Sequence, residues 1–229
     1  MQNLAVDPAR AEPPETVDAA ALYANKRAQF TTLVLGLSAD ELERCIPATP
    51  EWRVRDAFAH VVGITTDLNA GDFGRDDPAG WTAAQVDRSR SRALEDLAEE
   101  WERESGTFEE GLRLFGYELG SHYVGDLHAH VQDVRATLGL PADRDELTVL
   151  VALDFYLEST DAALRGAGSD AVEIRAGVER HELGAGEIVA TVAAEPFDIL
   201  RALSGRRSLR QIRSLEWTGD VDSTAPGLS

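Results

Sequence analysis

The chain has 229 residues, and its 41 Asp and Glu outnumber its 22 Lys and Arg to leave a formal charge of -19. A surface of that sign repels phosphate backbones and anionic lipid headgroups, so neither nucleic acid nor a membrane surface is an expected partner. At 43% hydrophobic and 28% charged the composition is that of a folded protein, long enough for one large domain or two modest ones.

No run approaches the roughly 18 apolar residues of a membrane span, and the opening MQNLAVDPARAEPPE lacks the basic-then-apolar pattern of a signal peptide, so the expected location is cytoplasmic. The single Cys45 closes no intrachain disulfide and forms no thiolate pair. Any metal must therefore be held by His and carboxylate, and Cys45 itself is expected to be a small buried hydrophobe.

In chain order, residues 1–15, with Pro8, Pro13 and Pro14, read as a loose tail. The spacing of Tyr23, Phe30, Leu33 and Leu37 predicts a helix over 17–37. Ser38 and Glu41 form a capping-box pattern that opens a short segment closed by Pro47 and Pro50. A helix over 54–67 follows, carrying Phe58, Val61, Val62 and, among them, His60. After the loop GDFGRDDPAG, Thr82 and Gln85 form another capping-box pattern, and Leu94, Leu97, Trp101, Phe108 and Leu112 suggest one long helix. The next helix spans 119–138 and stops at Gly139 and Pro141. Asp143 and Glu146 can cap one more, to Leu164.

From residue 166 the pattern changes. Val172 and Ile174 alternate with Glu173 and Arg175, and 188–192 is a second β-like run. A helix at 196–203, the segment GRRSLRQI, a strand-like SLEW and the tail DSTAPGLS complete the chain. The expected organisation is thus mainly α: a helical bundle over 16–165, then a small α+β domain over 166–229.

The chemistry concentrates on the 119–138 helix, where His122, Asp126, His130 and Asp133 follow one another by four, four and three residues and so share a face. His128 points the other way. If the face is solvated it is simply a polar face; if it is interior, its carboxylates need partners or a metal. Asp126 and His130, one turn apart, can offer an oxygen and a nitrogen to one ion, with a third donor from His60, for which Asp56 is a candidate orienting partner. Taken alone, a lone His such as His60 is more often a satisfied core residue.

The run TPEWRVRDAFAHVVG resembles the first signature of the mycothiol-dependent maleylpyruvate isomerase family, a branch of the DinB-like four-helix bundles. GDLHAHVQDVRATLGLP resembles its second signature, and FDILRALSGRRSLRQIRSLEWTGD is similar to the carboxy-terminal part of many members. The three motifs occur in order, and the resemblance covers most of the chain from about residue 20 to 220. The resemblance implies a DinB-like four-helix bundle with a small α+β carboxy-terminal domain, His60, Asp126 and His130 as ligands of a divalent metal, and zinc as the ion. Members often have Glu where this chain has Asp126, one methylene shorter, and Arg53 stands where they commonly have a Ser or Thr helix cap.

Two His and one carboxylate leave a zinc position open, as in catalytic rather than structural sites, and a thiol bound there is deprotonated. The resemblance implies that this thiol is mycothiol, supplied from outside, which adds to the double bond of maleylpyruvate, permits rotation and leaves; relatives use similar sites for thiol transfer. An anionic substrate must then approach a protein of charge -19. Arg201, Arg206, Arg207, Arg210 and Arg213 form a basic island that can attract it, with Arg206 and Arg207 as the candidate contacts; pairing of these arginines with surface acids is the alternative. His181 is expected in a solvated turn, and Trp52 as a core anchor at a helix start, with aromatic lining of the thiol pocket as the lesser alternative. The expected partners are a small anionic electrophile and a low-molecular-weight thiol, the expected assembly a monomer or homodimer. A metal-dependent hydrolase and a non-catalytic DinB-like binding module are the alternatives.

Overall fold

Asp18 opens the first helix, α1 (Ala19–Leu35), by accepting a hydrogen bond from the Ala21 N–H at 3.0 Å in the computed structural model, which describes residues 17–228. The tail expected at 1–15 lies outside the described residues. Ser38 and Glu41 do form a reciprocal capping box, and it opens α2 (Ala39–Leu42).

The next element is a small antiparallel hairpin of β1 (Cys45–Ile46) and β2 (Thr49–Arg53), which the sequence patterns did not predict. Neighbouring side chains on a strand face opposite ways, and here Ile46 takes the inward position while Cys45 is exposed. The expectation of a buried Cys45 is therefore corrected.

Helices α3 (Val54–Asn69), α4 (Pro78–Ser89), α5 (Leu94–Phe115) and α6 (Tyr117–Leu138) follow. The long helix expected from Thr82 onward is two helices. Asp77 caps α4 by accepting from the Gly80 N–H at 3.0 Å, with Pro78 in the first turn, and the chain breaks over 90–93 before α5. Gln85 is thus released from the capping role that its spacing suggested. Gly139, at φ 69°, ends α6 in the left-handed conformation that glycine adopts without strain.

Helices α1, α3, α5 and α6 pack on one another as a four-helix bundle within a unit spanning Asp18–Thr148. Trp101 is fully buried at its centre, edge-on to Phe30, Phe58 and Tyr23. Thr65 ties this cluster together: its hydroxyl accepts from Trp101 Nε1 at 3.0 Å, pairs with the Tyr23 hydroxyl at 3.1 Å and donates to the Val61 carbonyl at 3.3 Å. Where α1 meets α6, Gly120 leaves room for Ala19, whose methyl would lie 2.5 Å from any added Cβ.

The second unit contains residues 149–228, together with Val17. Helix α7 (Glu146–Ala167) lies in it from Val149 on, whereas the sequence pattern counts this helix with the bundle. Its Val149, Leu153, Leu157 and Leu164 share a core with the inward faces of the strands. The strands are β3 (Ala171–Ala176), β4 (Glu179–Leu183), β5 (Ile188–Ala194) and β6 (Glu216–Gly219), in the order β4-β3-β5-β6, with β3 and β5 parallel and the outer pairs antiparallel. His181 sits within β4 opposite Ile174, not in a turn, because the reversal is made earlier, at Gly177 and Val178.

Helix α8 (Pro196–Leu203) covers the expected segment, and α9 (Leu209–Arg213) takes up the second half of GRRSLRQI and the following Arg213. Residues 221–228 are structured rather than a tail: α10 (Val221–Thr224) and a 3-10 turn (Ala225–Leu228) bury Ala225 and Leu228. Among the described residues no helix is long and apolar enough to cross a membrane.

Candidate metal centre

Helices α3 and α6 carry the three candidate ligands to one place. His60 follows the hydrophobic Ala57–Phe58–Ala59 run of α3, and this face is buried, so its ring is 5% exposed. Asp126 and His130 lie one turn apart on α6, with His130 also 5% exposed. One donor atom from each of the three lies within 4.8 Å of the others, the one such cluster of His, Cys, Asp and Glu among the described residues. His130 Nε2 is 3.5 Å from Asp126 Oδ1.

The electrostatics of the cluster suit a cation. Burial by itself would raise the Asp126 carboxyl; the neighbouring His130, through charge and hydrogen bond, and then His60 and His122 outweigh it and hold that carboxyl well below the usual range. His122, one turn earlier on α6, is pushed down by burial and partly restored by Asp126. An ionised carboxylate between two imidazoles, in largely buried surroundings, is a hard-and-borderline donor set of the kind that binds Zn²⁺ or a similar ion.

Two further residues complete the site: Trp52, expected there only as the lesser alternative, and Gln85, which sequence reasoning did not bring to it. Trp52, on β2, stacks against the His130 ring at 5.6 Å and 29° and leans on the His60 ring at 4.9 Å. It is not a helix-start core anchor, because the unforeseen hairpin turns it onto the imidazoles. Gln85, on α4 and fully buried, lies with its Oε1 2.7 Å from His60 Nδ1. The orienting partner expected of Asp56 is therefore Gln85. Asp56 is occupied elsewhere, accepting the Arg53 backbone N–H at 2.9 Å at the start of α3, the N3 half of a capping box. No local pattern directed Gln85 to His60, since the two are on different helices; Trp52 was inside a quoted motif, but its direction depends on the hairpin.

The remaining members of the α6 stripe do not join the donor cluster. Asp133 is buried further along the helix, and His128, on the opposite side, lies with its Nε2 3.4 Å from Gln132 Nε2. Arg206 and Arg207 are in the second unit, where Arg206 donates to the Ser204 carbonyl at 2.7 Å and Arg207 pairs with Asp198 at 3.0 Å. Arg213 pairs with Asp222 at 3.1 Å, so local acids engage part of the basic island.

No protein-family model matches the chain, and no curated protein matches it in sequence. Two solved structures share its fold. A crystal structure of a mycothiol-dependent maleylpyruvate isomerase superposes with a TM-score of 0.56 at 13% identity, and one of a histidine-to-alanine mutant of that enzyme with 0.55 at 12%; each match covers 88% of this chain and 92% of the other. The mainly α architecture expected from the sequence is thereby shown, across both the bundle and the small sheet.

Proposed function

We propose that this protein holds a divalent metal, zinc by the nature of its donors, between His60, Asp126 and His130, and uses a low-molecular-weight thiol of the mycothiol type to act on a small anionic electrophile such as maleylpyruvate, as an isomerase or S-transferase. The observation that carries the reading is the meeting of two imidazoles and a carboxylate within 4.8 Å on two helices of a bundle. The shared fold with mycothiol-dependent maleylpyruvate isomerase supports this choice of reaction over others that the same donors would serve.

His60 and His130 would supply the nitrogen donors and Asp126 the anionic oxygen donor. When bound, zinc would lower the pKa of a thiol at its open position enough to make the thiolate the resting form. Trp52 covers one side of both imidazoles and holds their planes, which keeps the donor geometry in place between substrates. Cys45 is not part of the donor cluster, so the nucleophile comes from outside. Arg206 and Arg207 are proposed to supply the local positive charge that attracts a carboxylate substrate.

Purified protein should contain about one zinc per chain and should isomerise maleylpyruvate, or form a thiol adduct of a related electrophile, only when thiol is present. Thiol-independent cleavage of an ester or amide would make it a hydrolase instead. Metal without turnover, and without thermal stabilisation by any thiol, would leave a binding module. Arg206→Ala and Arg207→Ala should raise KM for a dianionic substrate more than they lower kcat.

A further inference from the structure

Helix α4 presents a polar chain to the back of His60. Arg88 Nη2 donates to Asp67 Oδ1 at 2.6 Å, Asp67 Oδ2 accepts from Gln85 Nε2 at 2.9 Å, and Gln85 Oε1 faces His60 Nδ1 at 2.7 Å. The inner links of this chain are shielded from water: Gln85 is fully buried, Asp67 is 8% exposed and His60 5%, while Arg88 reaches the surface.

The direction of every bond is set from the outer end. A guanidinium has only donors, so the Asp67 carboxylate accepts; the carboxylate must then receive the Gln85 amide N–H₂, which turns the Gln85 oxygen toward His60. An amide oxygen accepts only, so Nδ1 carries the imidazole proton. In the neutral imidazole Nε2 is then the lone-pair nitrogen.

The local sequence builds this contact. His60, Gly63 and Asp67 recur at three and four residues on α3, as Gln85 and Arg88 do at three on α4, so each set shares a face. Gly63 is the point of closest approach: a Cβ there would lie 2.7 Å from Gln85 Cβ and Cγ. The Gly63 carbonyl also accepts from Arg88 Nη2 at 3.3 Å, which locks the end of the chain to the same turn. Any larger residue at 63 would push Gln85 off His60.

We propose that Gln85, held by Asp67 and Arg88, is a positioning residue that fixes His60 as the Nδ1–H tautomer and so presets Nε2 as its metal-binding nitrogen. This rests on the reading of the cluster as a metal site. His60 is the ligand contributed by α3 alone, without a second ligand on its own helix, and is therefore the one whose ring orientation depends on support from elsewhere. Such outer partners raise the basicity of the ligand and spare the site a tautomer change on binding.

The test uses the full chain in two measurements. Long-range ¹⁵N–¹H spectra of the metal-free, histidine-labelled protein, with the His60 signals assigned by His60→Gln, report the tautomer without any metal. The expected result is Nδ1–H in the wild type and a shift toward Nε2–H in Gln85→Met. Zinc affinity, measured by chelator competition, should fall about 10- to 100-fold in Gln85→Met. Arg88→Met acts at the exposed end of the chain and threatens the fold less; it should weaken zinc binding in the same direction, with Arg88→Lys restoring it. An Nε2–H tautomer in the wild type, or wild-type zinc affinity in a folded Gln85→Met, would overturn the proposal. A wild type that binds no zinc yet shows Nδ1–H would overturn the metal reading of the cluster while supporting the hydrogen-bond chain.

Discussion

The indole of Trp52 stacks on the imidazole of His130, with ring centroids 5.6 Å apart and planes 29° from parallel. This places one of the four tryptophans against a candidate ligand, where it can report on what binds there. Cobalt(II) added to the metal-free protein should quench tryptophan fluorescence. In Trp52→Phe most of that quenching should disappear, although equilibrium dialysis still finds bound cobalt. Equal quenching in the variant would assign the signal to Trp81, Trp101 or Trp217 and remove Trp52 from the site.

The ligand set predicts a graded response to substitution. His60→Ala, His130→Ala and Asp126→Asn should each reduce bound zinc to near background by mass spectrometry, because three donors are the minimum that a catalytic zinc site retains. Asp126→Glu should keep the metal, since the longer carboxylate preserves charge and donor type. Zinc retained by His130→Ala would mean that the ion sits elsewhere.

The hydroxyl of Thr65 is shared by Trp101 and Tyr23 in the middle of the bundle. Thr65→Val keeps the shape but leaves a buried indole N–H and a buried phenol without this partner, at about 1–3 kcal/mol for each group. Urea denaturation should show that loss as a lower midpoint with an unchanged slope. Thr65→Ser should recover most of it.

Acid stability should depend on the pair formed by Lys26 and Asp143, which ties α1 to the connection between α6 and α7. Burial alone would raise the Asp143 carboxyl, but its hydrogen bond and charge interaction with Lys26 outweigh this and leave it below its ordinary value. A depressed carboxyl stabilises the folded state above the unfolded value of about 3.9 and loses that contribution as pH falls through its lower folded value. Wild type should therefore exceed Asp143→Asn in unfolding free energy at neutral pH, and the gap should narrow below about pH 4. A gap that widens on acidification would contradict the assignment.

The donor residues illustrate how far the linear pattern reaches. Asp126 and His130 are four apart on one helix, so a helical period alone puts them side by side, whereas only the motif resemblance, not its place in an apolar run, marked His60 as their companion. Gln85 is a different case. Its spacing from Thr82 imitated a capping box, and only the stronger start at Asp77 and Pro78 freed it to turn toward α3. Cys45 and Trp52 were misread for one shared reason: their directions follow from a hairpin with strands too short to show an alternating pattern.

By itself the sequence determined the class of the molecule. Its acidic charge, the helical periods, the glycine that ends α6 and the closeness of Asp126 to His130 are all local properties, written in composition and in contacts between residues a few positions apart. What required the folded chain were the contacts between elements distant in sequence: α3 meeting α6 so that His60 joins Asp126 and His130, Trp52 lying across two imidazoles, and Gly63 admitting Gln85 to His60. Such contacts follow from how whole faces pack, and packing depends on side-chain volumes from several elements at once. A single missing Cβ at Gly63 is as decisive there as any charged group.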